Sequence, residues 1–458
     1  MVMHHRDATI EALTQAVIHY AVDRVVLDPP PLDIGRSAAD LAAMAGRTVT
    51  VDGIGGLEAL RIFGEILAPA CISVDHPRFL SFVPAAPTEA SILFDLVVGA
   101  SSIYAGSWME GAGAVFAENA ALRYIADLVG LPAEAGGVFV SGGTAGNLSA
   151  LIAARWRWRQ RAEGRFDRVR CLVIASSGAH SSVASASRAM DADIVLVPAD
   201  TRGRMNAAAL QATIEGLDDE DRRRLFAVVA TSGTTNAGVI DDLDGVADVC
   251  NRLGAWLHVD GAYGGAGLAA ASIRDRFIGV ERCDSFIVDP HKWFFAPFDS
   301  CALLYRNPSV ARQAHTQHAE YLDVLHQGDD AEWNPSDFAH HLSRRARGLP
   351  FWFSLATHGT RAYSEAVEVT LQVARDSAAL IAESEHLELI LEPELSIVMF
   401  RRIGWTPAEY QGWSDRMLTN GEAFVVPTTW AGETVLRICV VNPRTTVDDI
   451  RTIVESLR

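Results

Sequence analysis

Of the 39 basic residues in this 458-residue chain, 38 are arginine and one, Lys292, is lysine. A guanidinium stays protonated and cannot condense with an aldehyde, whereas an amine can form an imine. Where only positive charge is needed, arginine serves equally well, so the surviving lysine marks amine chemistry. It stands in Ser285-Phe-Ile-Val-Asp-Pro-His-Lys-Trp293, an apolar strand pattern that runs into an Asp-Pro turn. A lysine spared by chance on the surface would not need that setting.

Upstream, Trp256-Leu-His-Val-Asp260 is a second apolar strand pattern ending on an acid, followed by the flexible Gly261-Ala-Tyr-Gly-Gly265. Taken alone, Asp260 reads as a helix N-cap or turn residue. Beside Lys292 it reads as the carboxylate that keeps a pyridine nitrogen protonated, the condition under which pyridoxal phosphate (PLP) works as an electron sink. Ser141-Gly-Gly-Thr-Ala-Gly-Asn147 joins a strand to an apolar helix, which aims backbone amides at a phosphate. By itself such a glycine-rich turn is common. His180, in Ala179-His-Ser-Ser-Val183, follows another strand and can turn its imidazole to the same crevice, although a lone histidine is more often structural. The run Ala230-Thr-Ser-Gly-Thr-Thr235 offers hydroxyls to a polar ligand, and turn chemistry explains it almost as well. His315, His318, His340 and His341 have no acid or cysteine spacing around them that would hold a metal.

These residues need elements to place them. Short, uniformly apolar runs at 138–140, 171–175, 194–197, 226–230, 256–259, 285–288 and 302–305 alternate with helix-like stretches, among them a long helix over 115–129. That pattern predicts an α/β domain with a mainly parallel sheet covered on both faces. Ligands of such sheets bind outside the carboxyl ends of the strands, where Lys292 and Asp260 fall. Before it, residues 7–26 carry apolar positions at helical spacing after Asp7 and Thr9 and stop at Pro29-Pro30-Pro31. A second helix over 57–67 needs a covering surface, from the main domain or from another subunit. After an acidic turn at Gly328-Asp329-Asp330, a long helix, two or three strands and a final helix at 447–457 read as a smaller α+β domain. The division is therefore an N-terminal helical segment 1–75, a large domain 76–330 and a small domain 331–458.

A formal net charge of -18 without basic clusters argues against nucleic acid and anionic lipid as partners and favours a small molecule. The six cysteines form no CxxC pair, no uncharged apolar run is long enough to span a membrane, and residues 1–7 lead into no signal-peptide core. A cytoplasmic location is expected.

Taken together, the motifs resemble the group II PLP-dependent decarboxylases, the family of aromatic L-amino acid, histidine and glutamate decarboxylases. The likeness runs from His76-Pro77-Arg78-Phe79 to Leu436-Arg437 and Asn442-Pro443 and is looser before that. It implies the type I, aspartate aminotransferase-like fold and a homodimer with its active site at the subunit interface. It also implies that Lys292 holds PLP as a Schiff base, that Asp260 pairs with the pyridinium, and that His180 stacks on the ring above the small Ala262. Gly143 and Thr144 match phosphate-loop positions, and His291 matches a residue that also helps hold the phosphate. Thr235 matches a hydroxyl near the ring, and Asp289 stands beside the cofactor. Phe82 matches an aromatic of the substrate pocket, and Trp108 lies in a segment that the family contributes across the dimer.

The implied reaction is decarboxylation of an L-amino acid, aromatic or bulky by the guide of Phe82 and Trp108, to the amine and carbon dioxide. Two departures bear on it. The family's Ser-Pro-Ala and following acidic pattern is replaced by Ser107-Trp-Met-Glu-Gly-Ala-Gly-Ala114. The family's mobile-loop tyrosine, just before a double-arginine motif found here as Ser343-Arg-Arg-Ala-Arg347, has no counterpart between Gln327 and Leu342. Phe338 is the nearest aromatic there, with Tyr321 upstream, and the proton donor is unassigned. An oxidative aldehyde synthase, a transaminase or a sulfur-removing lyase are the alternative reactions, and a non-catalytic PLP-binding scaffold is the alternative of another class.

Overall fold

The computed structural model describes residues 3–161, 169–320, 322 and 332–458. Tyr321 and the Gly328-Asp329-Asp330 turn lie outside them. Three helices come first: α1 (Ala8–Val25), capped by Asp7, α2 (Ala38–Ala45) and α3 (Gly56–Ile62). The predicted second helix continues past α3 as a single wider turn over Phe63–Leu67. Next come α4 (Glu89–Ser101) and α5 (Trp108–Val129). The latter begins seven residues before the predicted Val115, because Ser107 caps it at the Glu110 amide and the helix tolerates a non-helical Gly111.

Seven strands form the central sheet: β1 (Gly136–Val140), β2 (Leu172–Ser176), β3 (Asp193–Val197), β4 (Leu225–Thr231), β5 (Trp256–Asp260), β6 (Ser285–Val288) and β7 (Cys301–Tyr305). Their spatial order is β1-β7-β6-β5-β4-β2-β3. Only β7 runs against its neighbours. The link from β6 to β7 carries no long helix to return the chain to the sheet's starting edge, so the strand comes back antiparallel. Gly137 permits the tight β1–β7 pairing, since a Cβ there would meet the Leu303 carbonyl oxygen at 1.7 Å. Because all other strands point the same way, the segments after β1, β2, β4, β5 and β6 open on one edge.

Side chains alternate between two cores. Leu257 and Val259 of β5 join the core that α5 covers, while Trp256 joins the core under α6 (Gly143–Arg161) and α7 (Ser181–Ala189). His258 and Asp260 share the face of Trp256 by strand periodicity. Gly146 lets α6 press onto β6, where a Cβ would stand 2.9 Å from Cγ2 of Ile287.

A second, antiparallel sheet contains four strands where two or three were expected: β8 (Leu387–Leu391), β9 (Ile397–Arg402), β10 (Pro427–Trp430) and β11 (Glu433–Cys439), ordered β10-β11-β9-β8. Helices Leu349–Ala382, Pro407–Thr419 and Val447–Glu455 flank it, and the middle one was not anticipated. The chain crosses between the two sheets more than once. Leu80 donates its amide to the Phe424 carbonyl beside the small sheet, and Trp333 donates to Gly137 of β1 at 3.1 Å. The double-arginine segment is a fastener: Arg344 forks onto Glu118 of α5 at 2.7 and 2.8 Å, with both side chains buried. Arg345 pairs with Asp95 at 2.8 Å, and Arg347 pairs with Asp299.

Candidate active site

The strand ends enclose a cavity of about 250 Å³. From the start of α6, just after β1, come Gly143 and Thr144, and from the loop after β2 comes His180. Thr231 ends β4 and Gly233 and Thr235 follow it, Asp260 ends β5 and Ala262 follows it, and Asp289, His291 and Lys292 follow β6. Every cofactor residue named from the sequence therefore lines one hollow. Phe82 and Trp108 do not line it. Phe82 is 59% exposed and lies beside Phe424, with ring centroids 6.1 Å apart, while Trp108 starts α5 and donates its amide to Asn334. Ser141, Asn147, Ser182, Tyr263 and Phe298 also border the cavity and were not singled out. Asn147 and Ser182 had a signal, standing one helical turn past Gly143 and two residues past His180. Phe298, in a loop, had none.

Lys292 places Nζ 2.9 Å from Oδ2 of the buried Asp289. Burial works to lower the amine's pKa, but the Asp289 charge and hydrogen bond outweigh it and hold the amine above its ordinary value. Burial likewise works to raise Asp289, and the charges of Lys292 and His291 overcome it, leaving the carboxyl below its ordinary value. His291 is pushed down by burial first, and its Nδ1 lies 2.6 Å from the Ser300 carbonyl oxygen. Asp260 accepts from the Ala262 amide at 3.0 Å and from Asn147 Nδ2 at 2.9 Å. His180 is the N-cap of α7, accepting the Ser182 amide on Nδ1 at 3.2 Å, which leaves its other ring edge for the cavity. Phe338 lies elsewhere, buried and stacked on Trp333 at 4.0 Å. His315 is packed, with Nε2 against the Ser149 carbonyl at 3.0 Å.

These residues fit PLP. The first amides of α6 have no partner within the helix and face the cavity with the positive end of the helix dipole, as a phosphate requires. Thr231 Oγ1 lines the same space, buried and without a hydrogen-bond partner among the described residues. A buried carboxylate, an amine and a flat-faced Ala262 complete the set for a phosphorylated pyridine aldehyde.

Fold and site thus define a PLP enzyme of fold type I. Residues 59–403 match the pyridoxal-dependent decarboxylase conserved domain, and the chain belongs to that family. The aromatic-L-amino-acid decarboxylase of Bacillus atrophaeus is 30% identical over 398 residues, spanning 84% of this chain and 81% of that protein. The L-2,4-diaminobutyrate decarboxylase of Acinetobacter baumannii is 27% identical over 444 residues, spanning 91% and 86%. In fold, the chain matches a crystal structure of Oryza sativa TDC with PLP and tryptamine at a TM-score of 0.90, with 23% identity over 100% of this chain and 98% of that one. A Rhodiola rosea 4-hydroxyphenylacetaldehyde synthase matches at 0.86, with 20% identity over 98% and 97%. The protein is a PLP-dependent carboxy-lyase acting on an amino acid. Among the described residues no helix is long and apolar enough to cross a membrane.

Proposed function

We propose that the chain decarboxylates an L-amino acid with an aromatic or bulky side chain, releasing the amine, and that it works as a homodimer. The observation that carries the site assignment is the placement of the chain's one lysine amine, Lys292, against buried Asp289 in the cavity that Asp260, His180 and the start of α6 also line.

Lys292 is the amine that would hold the cofactor through its aldehyde, at the place where Asp289 fixes Nζ in the cavity. When bound, PLP supplies an electron-poor ring that takes up the electrons of the breaking Cα–carboxylate bond. Asp260, a carboxylate in the cavity wall, would keep a proton on the cofactor's ring nitrogen. His180 would cover the ring, and the small Ala262 would leave room for it. Gly143, Thr144 and His291 orient the phosphate, and Thr235 supplies a hydroxyl at the cavity's rim. Asp289 keeps the Lys292 amine in place within the cavity.

The bulky-substrate reading is supported by the aromatic-L-amino-acid decarboxylase relative and by Phe298, which borders both the cavity and an apolar hollow of about 630 Å³ lined by Tyr20, Leu27 and Phe63. A second copy is supported by the surface. Helix α1 buries no residue and exposes Ile10, Val17, Ile18 and Val22, and α4 exposes Leu93, Leu96 and Val97. Such apolar helix faces need a cover. Phe82 and Trp108 do not line the cavity of their own chain, and the dimer reading assigns them to the neighbouring copy's cavity.

The aldehyde-synthase reading stands on the absence of a tyrosine between Gln327 and Leu342. One experiment separates the two. Purified PLP-loaded protein is given a panel of L-amino acids, and carbon dioxide, amine, aldehyde and peroxide are assayed together. Carbon dioxide with amine supports the proposal and names the substrate; carbon dioxide with aldehyde and peroxide replaces it by the synthase. Release only from small or acidic amino acids overturns the substrate class. A monomeric mass in analytical ultracentrifugation overturns the dimer.

A further inference from the structure

Behind the cavity wall a chain of hydrogen bonds links four buried side chains that no step above uses. The indole Nε1 of Trp256 donates to Ser285 Oγ at 2.8 Å, and Ser285 Oγ is 2.8 Å from His258 Nδ1. His258 Nε2 is 2.7 Å from Asn147 Oδ1. Asn147 Nδ2 then donates twice, to Asp260 Oδ2 and to Ser182 Oγ, each at 2.9 Å. Ser182 Oγ is 2.8 Å from His180 Nδ1. Trp256, Ser285, His258 and Asn147 are all buried to 1% exposure or less.

The chemistry of the donors allows one assignment of the hydrogens. The amide of Asn147 must turn its NH₂ toward Asp260, because its oxygen would there face a carboxylate. Its Oδ1 therefore faces His258 and accepts, so His258 carries its hydrogen on Nε2. Burial holds that imidazole far below its ordinary pKa, in line with a neutral ring. The bare Nδ1 then accepts the Ser285 hydroxyl, whose oxygen accepts from Trp256. On the other branch Ser182 accepts from Asn147, and its backbone amide points at His180 Nδ1 at 3.2 Å, so that nitrogen is an acceptor, the Ser182 hydroxyl donates to it, and the hydrogen of His180 sits on Nε2, the edge left for the cavity. Reversing any link leaves a buried donor facing a donor or an acceptor facing an acceptor.

We propose that His258 and Asn147 are positioning residues that set two things at once: the direction of the Asp260 carboxylate toward the cofactor and the tautomer that His180 presents to it. This rests on the reading of Asp260 and His180 as the groups that face the cofactor ring. The two are coupled through a single amide, so a change at His258, which touches neither cofactor nor substrate, reaches both.

The test uses the full-length protein stripped of cofactor and retitrated with PLP, in the variants His258→Leu, His258→Gln, Ser285→Ala and Asp260→Asn. The readouts are PLP affinity from tryptophan fluorescence quenching, the pH dependence of the bound cofactor's absorption, and kcat and KM separately. His258→Leu should weaken PLP binding about ten-fold or more, shift the absorption titration, and lower kcat with KM little changed. His258→Gln, whose amide N–H can replace Nε2–H toward Asn147, should recover most of the loss. Ser285→Ala, which removes only a hydroxyl, should move the same readouts in the same direction by less, and decides the matter where His258→Leu does not fold. The inference is overturned if folded His258→Leu, or Ser285→Ala in its place, matches the parent in affinity and titration while Asp260→Asn does not. It is also overturned if glutamine fares as badly as leucine. If Asp260→Asn itself leaves both readouts unchanged, the reading of Asp260 falls, and this inference with it.

Discussion

The Nζ of Lys292 stands 2.9 Å from Oδ2 of Asp289, three residues earlier in the same turn after β6. An amine that must lose its proton is thus held by the group that favours keeping it, while burial pulls the other way. Replacing Asp289 by Asn removes the favouring charge and leaves the burial, so the Lys292 pKa should fall. With one lysine in the chain the readout is clean. Acylation of Lys292 in the apoprotein at pH 8, followed by peptide mass spectrometry, should run faster in Asp289→Asn, by about ten-fold for each unit the amine drops.

The same pair gives the apoprotein a pH window. Asp289 has a folded pKa below 3.8, so its contribution to stability is present above that value and is lost as pH falls through the folded pKa. Lys292 has a folded pKa above 10.5, so its contribution is present below that value and is lost as pH rises through the folded pKa. Thermal melts should show the pair's contribution level through the neutral range, and Asp289→Asn should remove its acid limb.

Lys292→Ala should abolish both turnover and the visible absorption of bound cofactor. Retention of either would contradict its assignment as the amine that holds PLP.

Asp260→Ala should retain some cofactor, since the proposed phosphate cradle at the start of α6 is untouched, while turnover falls by about 10²–10⁴. Carbon dioxide release at saturating PLP measures the rate apart from affinity.

Arg344→Ala should destabilise the fold by about 3–5 kcal/mol, because it strands Glu118 without its partner in a dry interior. The paired change Arg344→Met with Glu118→Leu should restore most of the melting temperature. KM should change little if the pair only fastens the segment after residue 340 to α5.

The strands around the site were legible because largely apolar runs of three to five residues, repeated between helix-like stretches, have few other uses. The meeting of the candidate residues in one cavity was legible because each stands at or after the end of such a run, so Lys292, Asp260 and His180 could be placed at one sheet edge without knowing the strand order. Helix Pro407–Thr419 and one strand of the small sheet were not legible, since their apolar positions are spaced among glycines, charges and turns that read equally as loop. The start of α5 was hidden by Gly111 and Gly113.

Sequence alone determined that an amine, an acid and a phosphate cradle would meet at the carboxyl ends of an α/β sheet. Residue type and strand periodicity are local properties, and a lone lysine has its chemistry wherever it lies. The tertiary structure decided what those groups touch. Trp256, His258 and Asp260 share a face at intervals of two, yet nothing in that spacing says that Ser285 from the next strand and Asn147 from α6 close the chain. Nor could it separate Phe82 and Trp108 from the cavity, or place Phe338 flat on Trp333. Hydrogen bonds and ring contacts depend on distances of a few ångströms between segments tens to hundreds of residues apart, and only the packed fold sets those.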